Sequence, residues 1–155
     1  MARLLSAAIA TALTVSSCSS AQSPPCPYYL FEGSWVGSAS YAATTPAQPS
    51  GVSGASALEA NAGGLECSES AFVSLGGCAV EGHVTGPRAM VFGASARPCV
   101  VKLAKERLEL RVHEGSALVA ANDTLEVTLY ADLLSREGQP MQGATISLDF
   151  VGRRR

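Results

Sequence analysis

Ala144-Thr145-Ile146-Ser147-Leu148-Asp149-Phe150 alternates apolar and polar side chains without a break. Successive side chains of a β-strand point to opposite faces, so this period of two puts one face on a core and the other in water. The pattern recurs upstream. Leu125, Val127 and Leu129 alternate with Glu126, Thr128 and Tyr130; Leu108, Leu110 and Val112 alternate with Arg107, Glu109, Arg111 and His113. Weaker strands are read at about 34–41, 71–75, 78–84, 89–94, 100–104 and 117–120. Gly76-Gly77, Gly86-Pro87, Glu114-Gly115, Asn122-Asp123 and Glu137-Gly138 punctuate them with turn chemistry. Eight or nine short antiparallel strands in succession predict an all-β fold. The expected architecture is an up-and-down barrel, which removes exposed edges, with a β-sandwich as the alternative.

Composition agrees with this reading. Charged residues make up 15% of the 155 residues, and Ala, Gly, Ser and Val are plentiful, whereas long helices draw on Leu, Lys, Glu and Gln. The length fits one domain. Ala42 to Ser56 is Thr/Ala/Pro/Ser/Gly-rich with Val52 as its one larger apolar residue, and reads as a long flexible loop. The net charge of −2 and the lack of a broad basic face argue against nucleic acid as a partner. The one cationic cluster is Arg153-Arg154-Arg155, read as a solvated tail or a contact for anionic lipid or an acidic partner.

The first residues read as an address. Met1-Ala2-Arg3 is a short basic start, and the apolar run from Leu4 to Val15 is too short to span a bilayer. It fits a secretory signal that is removed from the mature chain. Val15-Ser16-Ser17-Cys18 resembles the lipobox of bacterial lipoproteins, with Val in place of the commoner Leu. That resemblance implies a signal peptide over 1–17, acylation of Cys18, and anchoring by several buried chains. Ser19 after the cysteine implies the outer membrane, the domain facing the periplasm or the cell surface. Residues 18–27 would form a polar tether, leaving 28–155 as the barrel domain. Cleavage after Ser19-Ser20-Ala21, giving a freely secreted protein, is the alternative.

Reserving Cys18 for lipid leaves Cys26, Cys67, Cys78 and Cys99, an even number suited to two disulfides in an oxidising compartment. Of three possible connectivities, Cys67–Cys78 is favoured because short neighbouring segments carry both, with Cys26–Cys99 pinning the tether to the core. The spacings do not suit zinc, and no metal or cofactor is expected.

Leu30-Phe31-Glu32-Gly33-Ser34-Trp35-Val36-Gly37 holds the only tryptophan, beside glycines. It resembles the G-x-W motif that opens the calycins: lipocalins, fatty-acid-binding proteins and avidins. The resemblance implies that Gly33 and Trp35 close the base of a barrel and that a late arginine, Arg153 or Arg154, stacks on the indole. The T-D-Y-type motif of lipocalins and the biotin-contact pattern of avidins are absent.

No catalytic constellation emerges, and an enzyme is not expected. His83 and His113 fall on polar phases of strands, and Glu81 with His83 would need a third ligand to hold a metal. No G-x-S-x-G elbow, P-loop or dinucleotide fingerprint occurs. Two functions remain. One is binding of a small apolar ligand in the barrel mouth, with Tyr41, Phe92, Val127 and Leu129 as candidate lining residues. The other is an envelope interaction, scaffold or enzyme-inhibitor protein acting through its loops, without a small-molecule pocket.

Overall fold

The computed structural model describes residues 26, 30–64, 69–103 and 106–155. The proposed signal peptide, Cys18 and Cys67 lie outside them. Among the described residues, nine antiparallel strands form one sheet: β1 (Gly33–Thr45), β2 (Gln48–Gly64), β3 (Ser70–Leu75), β4 (Cys78–Gly86), β5 (Ala89–Phe92), β6 (Cys99–Leu103), β7 (Glu106–Val119), β8 (Thr124–Leu134) and β9 (Pro140–Arg154). The order is β5-β4-β3-β2-β1-β9-β8-β7-β6, and β5 also pairs with β7, so the sheet closes into a ring. The all-β, barrel-like expectation therefore holds.

Closure depends on the first and last strands lying side by side. Trp35 to Thr44 pairs with Arg154 back to Thr145 in one unbroken ladder. Inward residues follow the alternation read in the sequence: Ala144, Ile146, Leu148 and Phe150 are buried, as are Leu125, Val127 and Leu129. Trp35, Phe31, Phe150, Leu75, Met90, Leu103, Leu110, Leu125 and Leu148 are among the side chains fully withdrawn from water. Because β5 and β6 share one edge of β7, the ring has eight strand positions, a width that such side chains just fill.

Two expectations about local structure are corrected. The stretch 42–56 is not a loop. It forms the upper arms and turn of the β1–β2 hairpin, with Ala42 opposite Ser53, Ala43 opposite Val52 and Thr45 opposite Gln48. At Gly54 the small residue reflects packing, since a Cβ there would stand 2.7 Å from the Tyr41 hydroxyl; farther along β2, one at Gly63 would stand 3.3 Å from the Phe72 ring. The neighbours' rings thus take the space that larger side chains would need. Glu114-Gly115 is likewise not a turn. It lies within β7, where the register shifts between Val112 and Glu114, turning His113 and Glu114 both outward.

β5 and β6 lie end to end along the same edge of β7: Ala89–Phe92 opposes Leu118–Gly115, and Cys99–Leu103 opposes Leu110–Glu106. Ser95 bridges the break. Its N–H donates to Val112 O at 2.9 Å, and its Oγ accepts from Val112 N at 3.2 Å. β4 pairs with β5 only from Gly82 to Gly86. Along Cys78–Glu81 it instead faces the 93–98 connection across a groove of about 630 Å³ lined by Ala79, Glu81 and Ala94 to Arg97. A Cys78–Cys99 disulfide, with Cα atoms 4.8 Å apart, staples the ring above this seam. That bond overturns the expected Cys67–Cys78 and Cys26–Cys99 pairing. Strand shear sets Cys78 beside the start of β6, which sequence order does not reveal. Cys26 is also disulfide-bonded and packs against the core.

Candidate interaction surface

One end of the barrel is closed by the residues of the G-x-W stretch. Trp35 is fully buried, and its indole Nε1 donates to Phe31 O at 3.1 Å. The Arg154 guanidinium carbon lies 4.5 Å from the indole centroid, within cation–π range. Arg154 also donates through Nη2 to Leu30 O at 2.7 Å and through Nη1 to Glu32 O, and its Nε is 3.6 Å from an Asp123 carboxylate oxygen. Gly33 makes room for this plug. Its φ is +133°, and a Cβ there would stand 3.2 Å from Arg154 Nη1. Of the two candidate arginines, Arg154 is the one on the indole, while Arg153 is exposed opposite Val36 and Thr124. The base is thus tied by hydrogen bonds that a lysine ammonium cannot reproduce in planar form.

The four candidate ligand-lining residues separate. Phe92, Val127 and Leu129 are core residues, each under 5% exposed. Tyr41 is half-buried against the core, with its ring over Gly54 of the neighbouring strand. A small ligand would therefore meet Tyr41 but would have to displace the other three from their packing.

The histidines lie on the outer wall, each beside a carboxylate. His83 Nε2 is 3.3 Å from Glu69, and His113 Nε2 is 2.9 Å from Asp132. The bulge that turns out His113 and Glu114 helps shape a shallow outer groove of about 450 Å³, with Tyr130, Thr44, Thr145 and Ser147 along it. Thr44 and Thr145 hydroxyls lie 3.1 Å apart. This wall carries one exposed aromatic, Tyr130, among polar side chains. Among the described residues, no group of three or more His, Cys, Asp or Glu side chains is arranged to hold a metal ion. No helix among them is long and apolar enough to cross a membrane.

The other end of the barrel carries a feature that sequence reasoning missed. β2 pairs with β1 from Gln48 to Ala62 but with β3 only from Ala60 onward. Glu59 O accepts from Gly76 N at 3.2 Å, which fixes the odd-numbered backbone groups of β2 as those pointing toward β3. Beyond the end of β3, Ser56 Oγ donates to Ala57 O at 3.2 Å, and β2 comes close to β6. The edge carries no charged side chain from Gln48 to Leu58. Its sequence cue was obscured because small Ser, Gly and Ala residues read as a linker.

In comparisons with known proteins, no family model, no curated protein and no solved structure matches the chain.

Proposed function

We propose that this protein is an exported interaction protein, held at a bacterial outer membrane by lipid on Cys18, with a solid barrel that serves as a scaffold for protein contacts. The observation that carries this reading is the filled interior. Phe92, Val127 and Leu129 belong to one continuous buried cluster with Trp35, Phe31 and Phe150. Burying side chains of this size stabilises the fold by about 1.5 to 3 kcal/mol each, so a ligand that displaced them would have to offset that gain. The interaction reading requires no such displacement.

Two further features favour it. The Cys78–Cys99 disulfide and the bonded Cys26 suit an oxidising compartment. The chain also enters the barrel at the plugged base, where Arg154 holds the Leu30 and Glu32 carbonyls. A lipidated tether would leave from that base, and the β1–β2 and β8–β9 turns at the opposite end would face away from the membrane.

The test has two parts. Mass spectrometry of the mature N-terminus from the producing cell is expected to find acylated Cys18, and Cys18→Ser is expected to release the protein from the membrane. Capture from solubilised envelope is expected to recover a protein partner, while organic extraction of the purified protein yields no stoichiometric apolar molecule. An unmodified N-terminus would overturn the anchor, and a stoichiometric apolar molecule would favour a ligand carrier.

A further inference from the structure

We infer that the outer groove beside Tyr130 is a binding site for an uncharged saccharide. The cross-strand register assembles it. Ala42 of β1 lies opposite Ser147 of β9, Ser147 opposite Tyr130 of β8, and Tyr130 opposite Glu114 of β7. The next row toward the β1–β2 turn sets Thr44 opposite Thr145 and Thr145 opposite Asp132. The row on the other side sets Ser40 opposite Asp149 and Asp149 opposite Thr128. Rows two residues apart along a strand share one face, here the outer one. Tyr130 is 49% exposed on it, and every other residue of these rows except Ala42 is polar. One open ring thus stands among hydroxyls and carboxylates.

The β7 bulge completes the wall. A regular strand would turn either His113 or Glu114 inward, whereas the extra residue brings both to the groove. Several polar groups already hold one another. His113 Nε2 is 2.9 Å from Asp132, and Thr128 Oγ1 donates to an Asp149 carboxylate oxygen at 2.7 Å. Side chains ordered in advance lose little freedom when a ligand arrives.

The chemistry selects the occupant. A pyranose has C–H groups on its ring faces and hydroxyls around its rim. The faces suit stacking on an exposed phenol ring, and the rim hydroxyls can donate to carboxylates and exchange hydrogen bonds with Ser and Thr. Glu114, Asp132 and Asp149 disfavour an anionic sugar by like-charge repulsion. A wholly apolar ligand would take water from these groups without replacing its hydrogen bonds. A quaternary ammonium is better served by a cage of several rings, and this groove has one. The groove of about 450 Å³ lies in the size range of small-molecule sites. A second shallow groove of about 320 Å³, bounded by Val91, Glu114, Ser116 and Tyr130, continues past the ring. Tyr130 therefore stands between two troughs, as suits an oligosaccharide that lays one unit on each side. The site lies outside the packed interior and does not depend on the proposed protein contacts.

The probes are maltotriose, cellotriose and triacetylchitotriose, titrated into the full mature protein by calorimetry, with amide NMR spectra in parallel. At least one is expected to saturate with a Kd of about 0.1 to 1 mM and to shift the amides of Glu114, Tyr130 and Ser147. Tyr130→Ala is expected to weaken binding about tenfold or more, while Tyr130→Phe keeps most of it, because the ring carries the stack. Glu114→Gln, which removes a charged acceptor, is expected to weaken binding about threefold to tenfold. Val36→Ser, on the outer wall away from the groove, is expected to bind as wild type does. Thermal melts check that all four variants fold. The inference is overturned if none of the three sugars saturates up to about 10 mM, or if Tyr130→Ala binds as wild type does. Tetramethylammonium binding more tightly than every sugar would also overturn it, assigning the groove to a cation.

Discussion

Replacing both Cys78 and Cys99 by alanine tests whether the ring is stapled at its seam or held by its ladders alone. β4 lacks a ladder to β5 from Cys78 to Glu81, and β6 pairs with β7 rather than β4. The disulfide is therefore the covalent link across the place where hydrogen bonding lapses. Its loop spans a sequence separation of 21. Chain entropy for a loop of that length gives about 11 cal/mol/K, or about 3.3 kcal/mol at 25 °C. Against a total of about 5 to 15 kcal/mol for a domain, that loss is severe without abolishing the fold. It corresponds to a fall in Tm of about 10 °C for a chain of this size. Substitution is the proper perturbation, because a reductant would also attack the bond at Cys26. Calorimetry gives the Tm, and amide exchange locates the loss. Protection is expected to drop first along Cys78–Glu81 and Cys99–Leu103, leaving β8 and β9 unchanged. A Tm within about 2 °C of wild type, or a drop spread evenly over all strands, would refute the seam argument.

The plug, the β1–β9 contact and the broken strand offer independent tests. Arg154→Ala removes the indole contact and the hydrogen bonds to Leu30 and Glu32, and is expected to cost about 1 to 2 kcal/mol in urea unfolding and to red-shift Trp35 fluorescence. Arg154→Lys is expected to recover little of this, since a point ammonium cannot serve the ring and two carbonyls at once. Gly37→Ala would place a Cβ 2.0 Å from Val151 O and 2.5 Å from Gly152 Cα, both backbone atoms. A loss of about 3 kcal/mol or more is expected, visible as poor soluble yield and a lowered urea midpoint. Ser95→Ala leaves the buried Val112 N–H without its acceptor and is expected to cost about 1 to 2 kcal/mol, measured the same way.

How much of this was legible varied with the kind of residue. Strands built on Leu, Val, Ile and Phe announced themselves by alternation, and β8 and β9 contain the segments read at 125–130 and 144–150. The barrel base was also readable, because a lone tryptophan between glycines and a terminal arginine have few ways to be useful. β2 was not. Its inward positions Ala60 and Ala62 are small, Gly54 lies beneath the Tyr41 ring and Gly63 beneath the Phe72 ring on the outer face, so part of the information resides in the neighbouring strands rather than in β2 itself. The bulge at His113 and the partner of Cys78 depend on register and shear, which arise only once the ring closes.

The pairing of β1 with β9 carries a temporal consequence. Synthesis delivers Trp35 long before Arg154, so the wall between them stays unbuilt until β9 has emerged. Until then the ring stays open, and it locks only when β9 pairs with β1. By the same logic, cutting the chain within β9 before Arg153 and Arg154 would leave the other strands without their keystone.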